Sequence, residues 1–535
     1  MPSIARVLVD LSLDKEFDYR IPEFLADTIR IGSRVSVPFG RREAEGFVVG
    51  FAEESDFPGL KSIARLVGKK PLVEENILAL ARWMADYYCC PVEQAVRTVL
   101  PSAVRRKGAR FKEQLFVELT EMANDAEALA GLRKKAEAQA RVVDILLASG
   151  PETVAHIAEA AGVTPATVRA LERKGFARVA NQVMARGVAG GGEVLHAGAL
   201  ALMPQQAEAL ATVTQSIDTL KPSVVLLFGV TGSGKTEVYL QAIDHVLKKG
   251  GGCIVLVPEI SLTPQTVDRF RSRFGDTVAV LHSELSQGER HDEWHRVHEG
   301  QARIAIGPRS AVFAPVKKLG LIVVDEEHEP SYKQEEAPRY HARDMAVLRG
   351  RMDKCAVVLG SATPALESLY NASTGKYTMV RMPHRVDHQK MPAMRVVDMR
   401  TEMEREGKFF VLSRDLKEAI DQRLGKAEQT MLFLNRRGFA TSLVCPKCGT
   451  VAQCDHCSVS MTFHKPTNSL RCHICGASKA VPERCPNPEC RDPAFKYSGV
   501  GTQRVEEVVQ RVFPKARIQR MDSDTMTRKD SYRRA

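Results

Sequence analysis

The sequence predicts a multidomain α/β protein whose central part is a parallel sheet. Continuous apolar runs alternate with helical stretches from Leu202 onward, which is typical of buried parallel strands. A glycine-rich segment follows one of these runs, and eight of the twelve cysteines lie between Cys445 and Cys490. A chain of 535 residues exceeds the ~250–300 residues at which single cores stop growing, so several domains are expected.

The composition favours a polyanionic partner and a cytoplasmic location. The net charge is +11, although many basic proteins bind no nucleic acid, so charge alone leaves the partner open. No apolar stretch approaches the ~18 residues of a transmembrane helix. The N-terminus has acidic residues early and no long apolar segment, so no signal peptide is expected.

Residues 1–105 are predicted to form a small β-rich domain. Ile4–Val9, Arg34–Val37 and Gly46–Phe51 are short alternating runs separated by proline and glycine. A helix is expected at Ile77–Tyr88. The basic residues from Arg105 to Lys112 indicate a linker.

Residues 113–182 are predicted to form a winged helix. One helical pattern covers Thr153–Ala161, a turn follows, and a second helix begins with Thr164 as N-cap and Pro165 in the first turn. Gly175 suits the C-terminal stop. Winged helices bind DNA or contact other proteins, and we favour DNA. A further linker is expected at Ala189–Glu193.

Residues 200–390 contain a phosphate-binding loop. Its sequence fits G-x-x-x-x-G-K-[ST] between the apolar run Val224–Phe228 and a helical stretch, so backbone N–H groups can wrap a phosphate chain. A chance glycine-rich turn would lack that strand and helix. Lys235 would neutralise the β- and γ-phosphates and Thr236 would hold Mg²⁺. The residues predicted to bind ATP are Gly229, Val230, Thr231, Gly232, Ser233, Gly234, Lys235 and Thr236, with Gln206 reading adenine.

A buried strand, Leu321–Val324, leads into the acidic box Asp325-Glu-Glu-His328. Asp325 is expected to coordinate Mg²⁺ and Glu326 to polarise the attacking water, with His328 completing the box. A solvated acidic turn is the alternative, and the upstream phosphate loop argues against it. Gly360–Pro364 also ends a strand, and its hydroxyls can link nucleotide state to neighbouring loops.

The order of these motifs resembles the first RecA-like lobe of a superfamily 2 helicase. In that family the segments between the loop and the box touch the nucleic-acid backbone, so Arg309 is a candidate contact, although it could equally pair within the lobe. The loop after the box mixes aromatic and basic residues. Its candidates for stacking on bases or contacting phosphates are Tyr332, Lys333, Tyr340 and Arg343, against the simpler interpretation of a solvated loop.

The cysteine cluster predicts two structural zinc sites. Its eight thiolates, mostly in C-x-x-C pairs, satisfy two four-cysteine sites with none left over. The redox alternative would need one isolated C-x-x-C near a thioredoxin-like pattern. Spacing alone does not separate adjacent from nested pairing. The predicted ligands are Cys445, Cys448, Cys454, Cys457, Cys472, Cys475, Cys485 and Cys490.

These motifs, with Asn435–Ala440 (N-R-R-G-F-A) in a second lobe, resemble the primosomal protein N′ (PriA) family of bacterial replication-restart helicases. The resemblance covers essentially the whole chain. It implies helicase lobes at 200–390 and 391–535, the second incomplete and carrying a zinc-binding insertion at 441–492. It also implies nested zinc sites: Cys445, Cys448, Cys485 and Cys490 on one ion, and Cys454, Cys457, Cys472 and Cys475 on the other.

The N-terminal domain resembles that family's 3′-DNA-binding domain, which holds the 3′ end of the leading strand at a fork. The resemblance implies a pocket formed by Phe17, Asp18, Tyr19, Gly40 and Lys61. Asp18 can accept a hydrogen bond from a terminal 3′-OH and would repel a phosphate. An aromatic ring beside it offers the base a stacking face.

The resemblance implies ATP-driven 3′→5′ unwinding at stalled or abandoned forks and D-loops, followed by primosome assembly. The implied partners are forked DNA, single-stranded DNA-binding protein, primosome proteins and the loader of the replicative helicase. The implied cofactors are ATP, Mg²⁺ and two Zn²⁺.

Three departures from the family pattern bear on this interpretation. Four residues separate Cys485 from Cys490 where two are usual, and Gly501-Thr-Gln stands where G-T-E is usual. The late second-lobe motifs, which carry the arginines that reach the γ-phosphate, do not follow Met521–Asp524. We therefore expect a fragment of a longer protein with impaired turnover. The alternative is a non-catalytic scaffold for fork binding and primosome assembly, and a zinc-containing RNA helicase lacks support.

Overall fold

The computed structural model describes residues 3–9, 15–68, 70–105, 112–184, 198–219, 221–283, 285–386, 392–406, 411–434, 442–445, 447–464, 469–472, 474–493, 496–498, 502–521 and 525. They divide into two compact units, Met1–Lys390 and Met391–Ala535. The N-R-R-G-F-A segment 435–440 and the cores of both predicted linkers, 106–111 and 189–193, lie outside the described residues. Among the described helices, none has the length and apolar character needed to cross a membrane.

An antiparallel five-stranded sheet, in the order β2-β1-β4-β3-β5, forms the N-terminal domain. Its strands are β1 Ile4–Val9, β2 Glu16–Arg20, β3 Arg34–Phe39, β4 Arg42–Ala52 and β5 Arg65–Leu66, followed by helices α1 Glu75–Tyr87, α2 Val92–Val99 and α3 Ser102–Arg105. Val7, Val35 and Val48 are fully buried on one side of the sheet. The alternating runs predicted as strands are therefore confirmed.

The next segment packs four helices on a three-stranded sheet in the order β7-β6-β8. Its elements are β6 Lys112–Leu119, α4 Ala126–Lys135, α5 Glu137–Ser149, β7 Glu152–Thr153, α6 Val154–Ala160, α7 Pro165–Arg173 and β8 Ala177–Met184. The helix–turn–helix is confirmed, with Pro165 in the first turn of α7 and Gly175 at φ 81° after it. The middle strand β6 precedes the helices in the chain, and the winged-helix class stays a prediction.

A seven-stranded sheet, β11-β12-β10-β13-β14-β9-β15, forms the centre of the first unit, and every strand pair in it is parallel. Its strands are β9 Ser223–Gly229, β10 Gly252–Leu256, β11 Val278–Val280, β12 Ile304–Gly307, β13 Leu319–Val324, β14 Ala356–Ser361 and β15 Thr378–Met382. The helices are α8 Pro204–Asp218, α9 Lys235–Lys248, α10 Pro264–Phe274, α11 Gln287–Glu299, α12 Ala342–Met352 and α13 Leu366–Ser373. Because all strands run the same way, the segments that follow them meet at one edge of the sheet.

The second unit contains small antiparallel sheets and helices among its described residues. Its elements are α14 Met399–Glu406, α15 Arg414–Gly425, β16 Ser442–Val444, β17 Thr462–His464, β18 Ser469–Arg471, β19 Ser478–Ala480, β20 Lys496–Ser498 and α16 Thr502–Val512. The apolar composition of Gln429–Leu434 predicts a strand in the second unit, and this prediction is wrong, because the structure has no strand at these residues. Met431 and Phe433 are 90% and 87% exposed, so their side chains are not covered by the described part of the chain.

Candidate nucleotide, DNA and metal sites

The phosphate loop connects the end of β9 to the start of α9. Gly232 and Gly234 both have φ 81°, a backbone conformation that glycine adopts without strain. Ser233 N donates to Val230 O at 3.0 Å, which closes the loop, and α9 begins at Lys235 with its first N–H groups directed to the loop. The buried Lys235 ammonium donates to Gly229 O at 2.9 Å, across the loop's own opening. This geometry fits a phosphate chain.

Gln206 lies against this loop with 3% of its surface exposed. Its Nε2 donates to Ser233 O at 3.0 Å and its Oε1 accepts from Met203 N at 2.8 Å. The side chain therefore braces the phosphate loop. Its reading of adenine stays a prediction.

The acidic box begins where β13 ends. Tyr239 from α9 donates its hydroxyl to Asp325 Oδ1 at 3.1 Å. Burial, and then the neighbouring charge of Glu326, raise the pKa of Asp325 to about 6. Asp325 and Thr236 of the loop are among the residues that line one cavity of about 90 Å³. Their side chains carry oxygen donors of the kind that Mg²⁺ accepts.

Glu326 and His328 stand beside the segment that follows β14. Glu326 has φ 45°, in the left-handed region, which turns the chain sharply after Asp325. His328 Nδ1 lies 2.8 Å from Ser361 Oγ and 3.6 Å from Glu326 Oε2. Ser361 Oγ also accepts from Thr363 N at 2.9 Å. The acidic box and the Gly360–Pro364 segment are thus in direct contact.

Glu327 is a functional candidate that the sequence reasoning missed. Its carboxylate is fully buried and accepts from Arg343 Nη1 at 3.2 Å, Ser368 Oγ at 2.9 Å and Ala365 N at 2.7 Å. These partners belong to α12, to α13 and to the turn before α13. Glu327 therefore joins the acidic box to two segments that follow it in the chain. The signal in the sequence that could have identified Glu327 is its place as the third residue of the acidic box.

The structure corrects the predicted DNA contacts of the aromatic-rich loop. Tyr332 and Tyr340 are each 1% exposed, so neither ring is available to stack on a base. Tyr332 donates to Asp325 O at 2.7 Å, and Tyr340 packs edge-on against Phe313 at 5.1 Å. Arg343 is 9% exposed and is held by Glu327, so it does not reach a phosphate. Tyr340 is therefore buried by apolar packing, and Tyr332 and Arg343 are buried by their contacts with the acidic box.

Two basic residues of the predicted DNA surface do lie at the surface. Lys333 is exposed, with its ammonium 5.1 Å from the centre of the Tyr88 ring. Arg309 is half-buried and donates to Lys333 O at 3.3 Å. Arg309 and Ser310 line a cavity of about 350 Å³ together with Pro258 and the Arg97–Ser102 segment. The segments after β10 and β12 therefore line the same cavity, and their contact with the nucleic-acid backbone stays a prediction.

The residues of the predicted 3′-end pocket come together in the N-terminal domain. Asp18 accepts from Ser55 Oγ at 2.7 Å and is half-buried. Lys61 Nζ donates to Gly40 O at 3.3 Å, which joins two distant loops. The Phe17 ring meets Phe39 edge-on at 5.2 Å. Tyr19 is 5% exposed, packs in the domain core and donates to Pro38 O at 3.3 Å, so its ring is not available to a base. The 3′-end pocket stays a prediction.

The eight cysteines form two nested groups. Cys445, Cys448, Cys485 and Cys490 form one group, and Cys454, Cys457, Cys472 and Cys475 form the other; within each, all sulfurs lie within 4.8 Å of one another. The Cys445–Cys490, Cys448–Cys485 and Cys454–Cys475 sulfur pairs are 3.7, 3.6 and 3.6 Å apart. Four sulfurs at 2.3 Å from a tetrahedral zinc ion lie about 3.8 Å apart. The donor set and spacing fit zinc, and the nested pairing is confirmed.

Local backbone geometry explains why each cysteine pair faces one ion. The residue after the second cysteine of each pair is in the left-handed region: Gly449 at φ 75°, Ser458 at 54°, Gly476 at 76° and Arg491 at 44°. This turn brings the two sulfurs of a pair to the same side. The wider spacing of Cys485 and Cys490 keeps the turn, because Cys490 N donates to Asn487 O at 3.1 Å.

Comparison with known proteins decides the family. Three family models match: the 3′DNA-binding domain (3′BD) over residues 6–101, the DEAD/DEAH box helicase over 203–372, and the PriA DNA helicase Cys-rich region (CRR) domain over 454–479. The replication restart protein PriA of Bacillus subtilis is 39% identical, over 99% of this chain and 74% of its own length. The chain belongs to the PriA family.

Other relatives of this PriA-family chain agree. The replication restart proteins PriA of Chlamydia pneumoniae and Haemophilus influenzae are each 37% identical, over 99% and 98% of this chain and 71% of their own lengths. The predicted resemblance is confirmed, and the chain is an ATP-dependent DNA helicase.

Proposed function

We propose that this PriA-family helicase unwinds DNA in the 3′→5′ direction at stalled or abandoned forks and D-loops and initiates primosome assembly for replication restart. The observation that carries the motor part is the shared cavity of Thr236 and Asp325. The phosphate loop and the acidic box are almost ninety residues apart in sequence, and they meet at this cavity in the fold.

Bound ATP and Mg²⁺ would supply the phosphoanhydride to be cleaved and the cation that offsets its charge. Lys235 and the N–H groups of residues 229–236 would hold the phosphates, and Thr236 with Asp325 would hold the cation. Glu326 would accept a proton from the attacking water. His328 would orient Glu326, which lies 3.6 Å away. Through its contact with Ser361, His328 would also couple the nucleotide state to the Gly360–Pro364 segment.

The N-terminal pocket would recognise a free 3′ end. The Asp18 carboxylate would accept a hydrogen bond from the terminal 3′-OH. Lys61 and Gly40, which are hydrogen-bonded to each other, would form another part of the pocket, and Phe17, which contacts Phe39, would offer its ring to the base. A negative charge at this position would reject a 3′-phosphate. Arg309 and Lys333 would contact the backbone of the bound strand.

The remaining parts would serve assembly at the fork. We propose a 3′-DNA-binding domain at 1–105, a winged helix at 113–182 that contacts DNA, helicase lobes at 200–390 and 391–535, and a zinc insertion at 441–492. The zinc module would aid strand displacement and primosome assembly. The partners would be single-stranded DNA-binding protein, primosome proteins and the helicase loader, in the cytoplasm.

The catalytic role is preferred over the non-catalytic scaffold. Lys235, Thr236, Asp325 and Glu326 are the residue types that nucleotide hydrolysis uses, and Thr236 and Asp325 line one cavity, which supports the catalytic role. A scaffold has no need of a buried lysine in a phosphate loop or of a carboxylate facing it.

The test is ATP hydrolysis with and without a forked DNA that carries a free leading-strand 3′ end. Glu326→Gln is expected to abolish DNA-stimulated turnover while fork binding persists. Glu336→Gln, a matched change of an exposed carboxylate in the following loop, is expected to leave turnover unchanged. Tight fork binding without turnover by the unaltered chain would refute the motor and leave the scaffold.

A further inference from the structure

The four residues after β15 run along the phosphate loop. Val386 N donates to Gly232 O at 3.0 Å, and Val230 N donates to Met382 O at 3.1 Å. Gln205 holds the same stretch from the other side, since its Nε2 donates to His384 O at 2.6 Å and its Oε1 accepts from His384 N at 3.1 Å. Backbone hydrogen bonds to the loop and side-chain hydrogen bonds from Gln205 therefore hold the stretch that carries Arg385 between α8 and the loop.

The Arg385 guanidinium lies against Gly232. A Cβ atom built on Gly232 would be 3.0 Å from Arg385 Nε and 3.4 Å from Nη2. The side chain thus occupies the space that any larger residue at position 232 would fill. It places a second cation beside the loop, in addition to Lys235.

Two buried donors at this point have no partner within the described part of the chain. Arg385 Nε is buried without a hydrogen bond, and so is the hydroxyl of Ser233, the neighbour of Gly232 in the loop. Leaving a buried donor unpaired costs free energy, and a charged donor costs more. A ligand that brings acceptor oxygens to this place would satisfy them.

We propose that Arg385 is a nucleotide-binding residue that contacts the phosphate chain held by the Gly229–Thr236 loop. The inference rests on the proposed binding of ATP at this loop. Arginine suits the role, because its planar guanidinium pairs with two phosphate oxygens at once and stays charged at all physiological pH values.

The test is equilibrium binding of fluorescently labelled ADP and ATP, with unlabelled tripolyphosphate as competitor. Arg385→Ala is expected to weaken both nucleotides and tripolyphosphate by about tenfold, the loss of one charge-assisted hydrogen bond. Arg385→Lys is expected to recover part of the affinity. Arg381→Ala, at an exposed arginine of β15, is the matched control and should stay within about twofold of the unaltered chain.

Three results would overturn the inference. Unchanged affinity in Arg385→Ala would remove Arg385 from the site. A lower melting temperature without nucleotide, together with unchanged affinity, would make Arg385 a structural residue. Weaker nucleotide binding with unchanged tripolyphosphate competition would place the contact on the base. Lys235→Ala is expected to lose nucleotide binding. If the unaltered chain also bound no nucleotide, the proposed function itself would fail.

Discussion

Removing the Tyr332 hydroxyl is expected to slow ATP hydrolysis while leaving the fold intact. The hydroxyl donates to Asp325 O at 2.7 Å, and the ring is 1% exposed. Phenylalanine fills nearly the same volume, so Tyr332→Phe keeps the packing and deletes one hydrogen bond. The deletion acts at the backbone of the residue that we propose to hold Mg²⁺.

The size of the effect follows from the burial of the Tyr332 side chain. An acceptor left without its partner at a buried site costs about 1–3 kcal/mol. If that free energy appears in the barrier to hydrolysis, kcat falls by about 5- to 160-fold, since 1.36 kcal/mol corresponds to a factor of ten. If it appears only in stability, kcat is unchanged and the melting temperature falls.

The assay is steady-state ATP hydrolysis with and without forked DNA, together with thermal melting. Tyr340→Phe is the control, because Tyr340 is equally buried in the same loop and packs against Phe313. We expect a loss of kcat of about 5- to 160-fold in Tyr332→Phe and little change in Tyr340→Phe. Hydrolysis by Tyr332→Phe at the unaltered rate would refute the argument that the loop positions Asp325 through this bond.

Three further predictions concern other parts of the chain. Asp18→Asn should weaken binding of forked DNA with a 3′-OH by about tenfold in fluorescence anisotropy and reduce discrimination against a 3′-phosphate; equal discrimination would contradict the pocket. Cys472→Ser should lower the zinc content from two ions to one by atomic absorption, while Cys89→Ser, at an exposed cysteine outside both groups, should not. Glu327→Gln should lower the melting temperature and DNA-stimulated hydrolysis together, because it removes the charge that holds Arg343; a variant as stable and active as the unaltered chain would exclude that role.

Motifs whose ligands come from one contiguous segment could be predicted from the sequence. The phosphate loop is such a case, because strand, glycines, lysine and helix follow one another and local backbone geometry completes the site. The cysteine pairs are another, since each pair is closed by a left-handed residue directly after it. The buried strands of the parallel sheet could also be predicted, because a strand covered on both faces needs a continuous run of apolar residues.

Burial and pairing between distant segments were decided by the tertiary structure. Tyr332, Tyr340 and Arg343 have the residue types of a DNA surface, yet they are buried. Their contacts are with Asp325, Phe313 and Glu327, respectively. Gln429–Leu434 has the composition of a strand and no neighbour to pair with among the described residues. Arg385 carried no motif at all, because its position depends on β15 lying beside β9. A local sequence pattern indicates which structures and contacts a segment is suited to. Whether its side chains are buried or paired depends on segments far away in the chain.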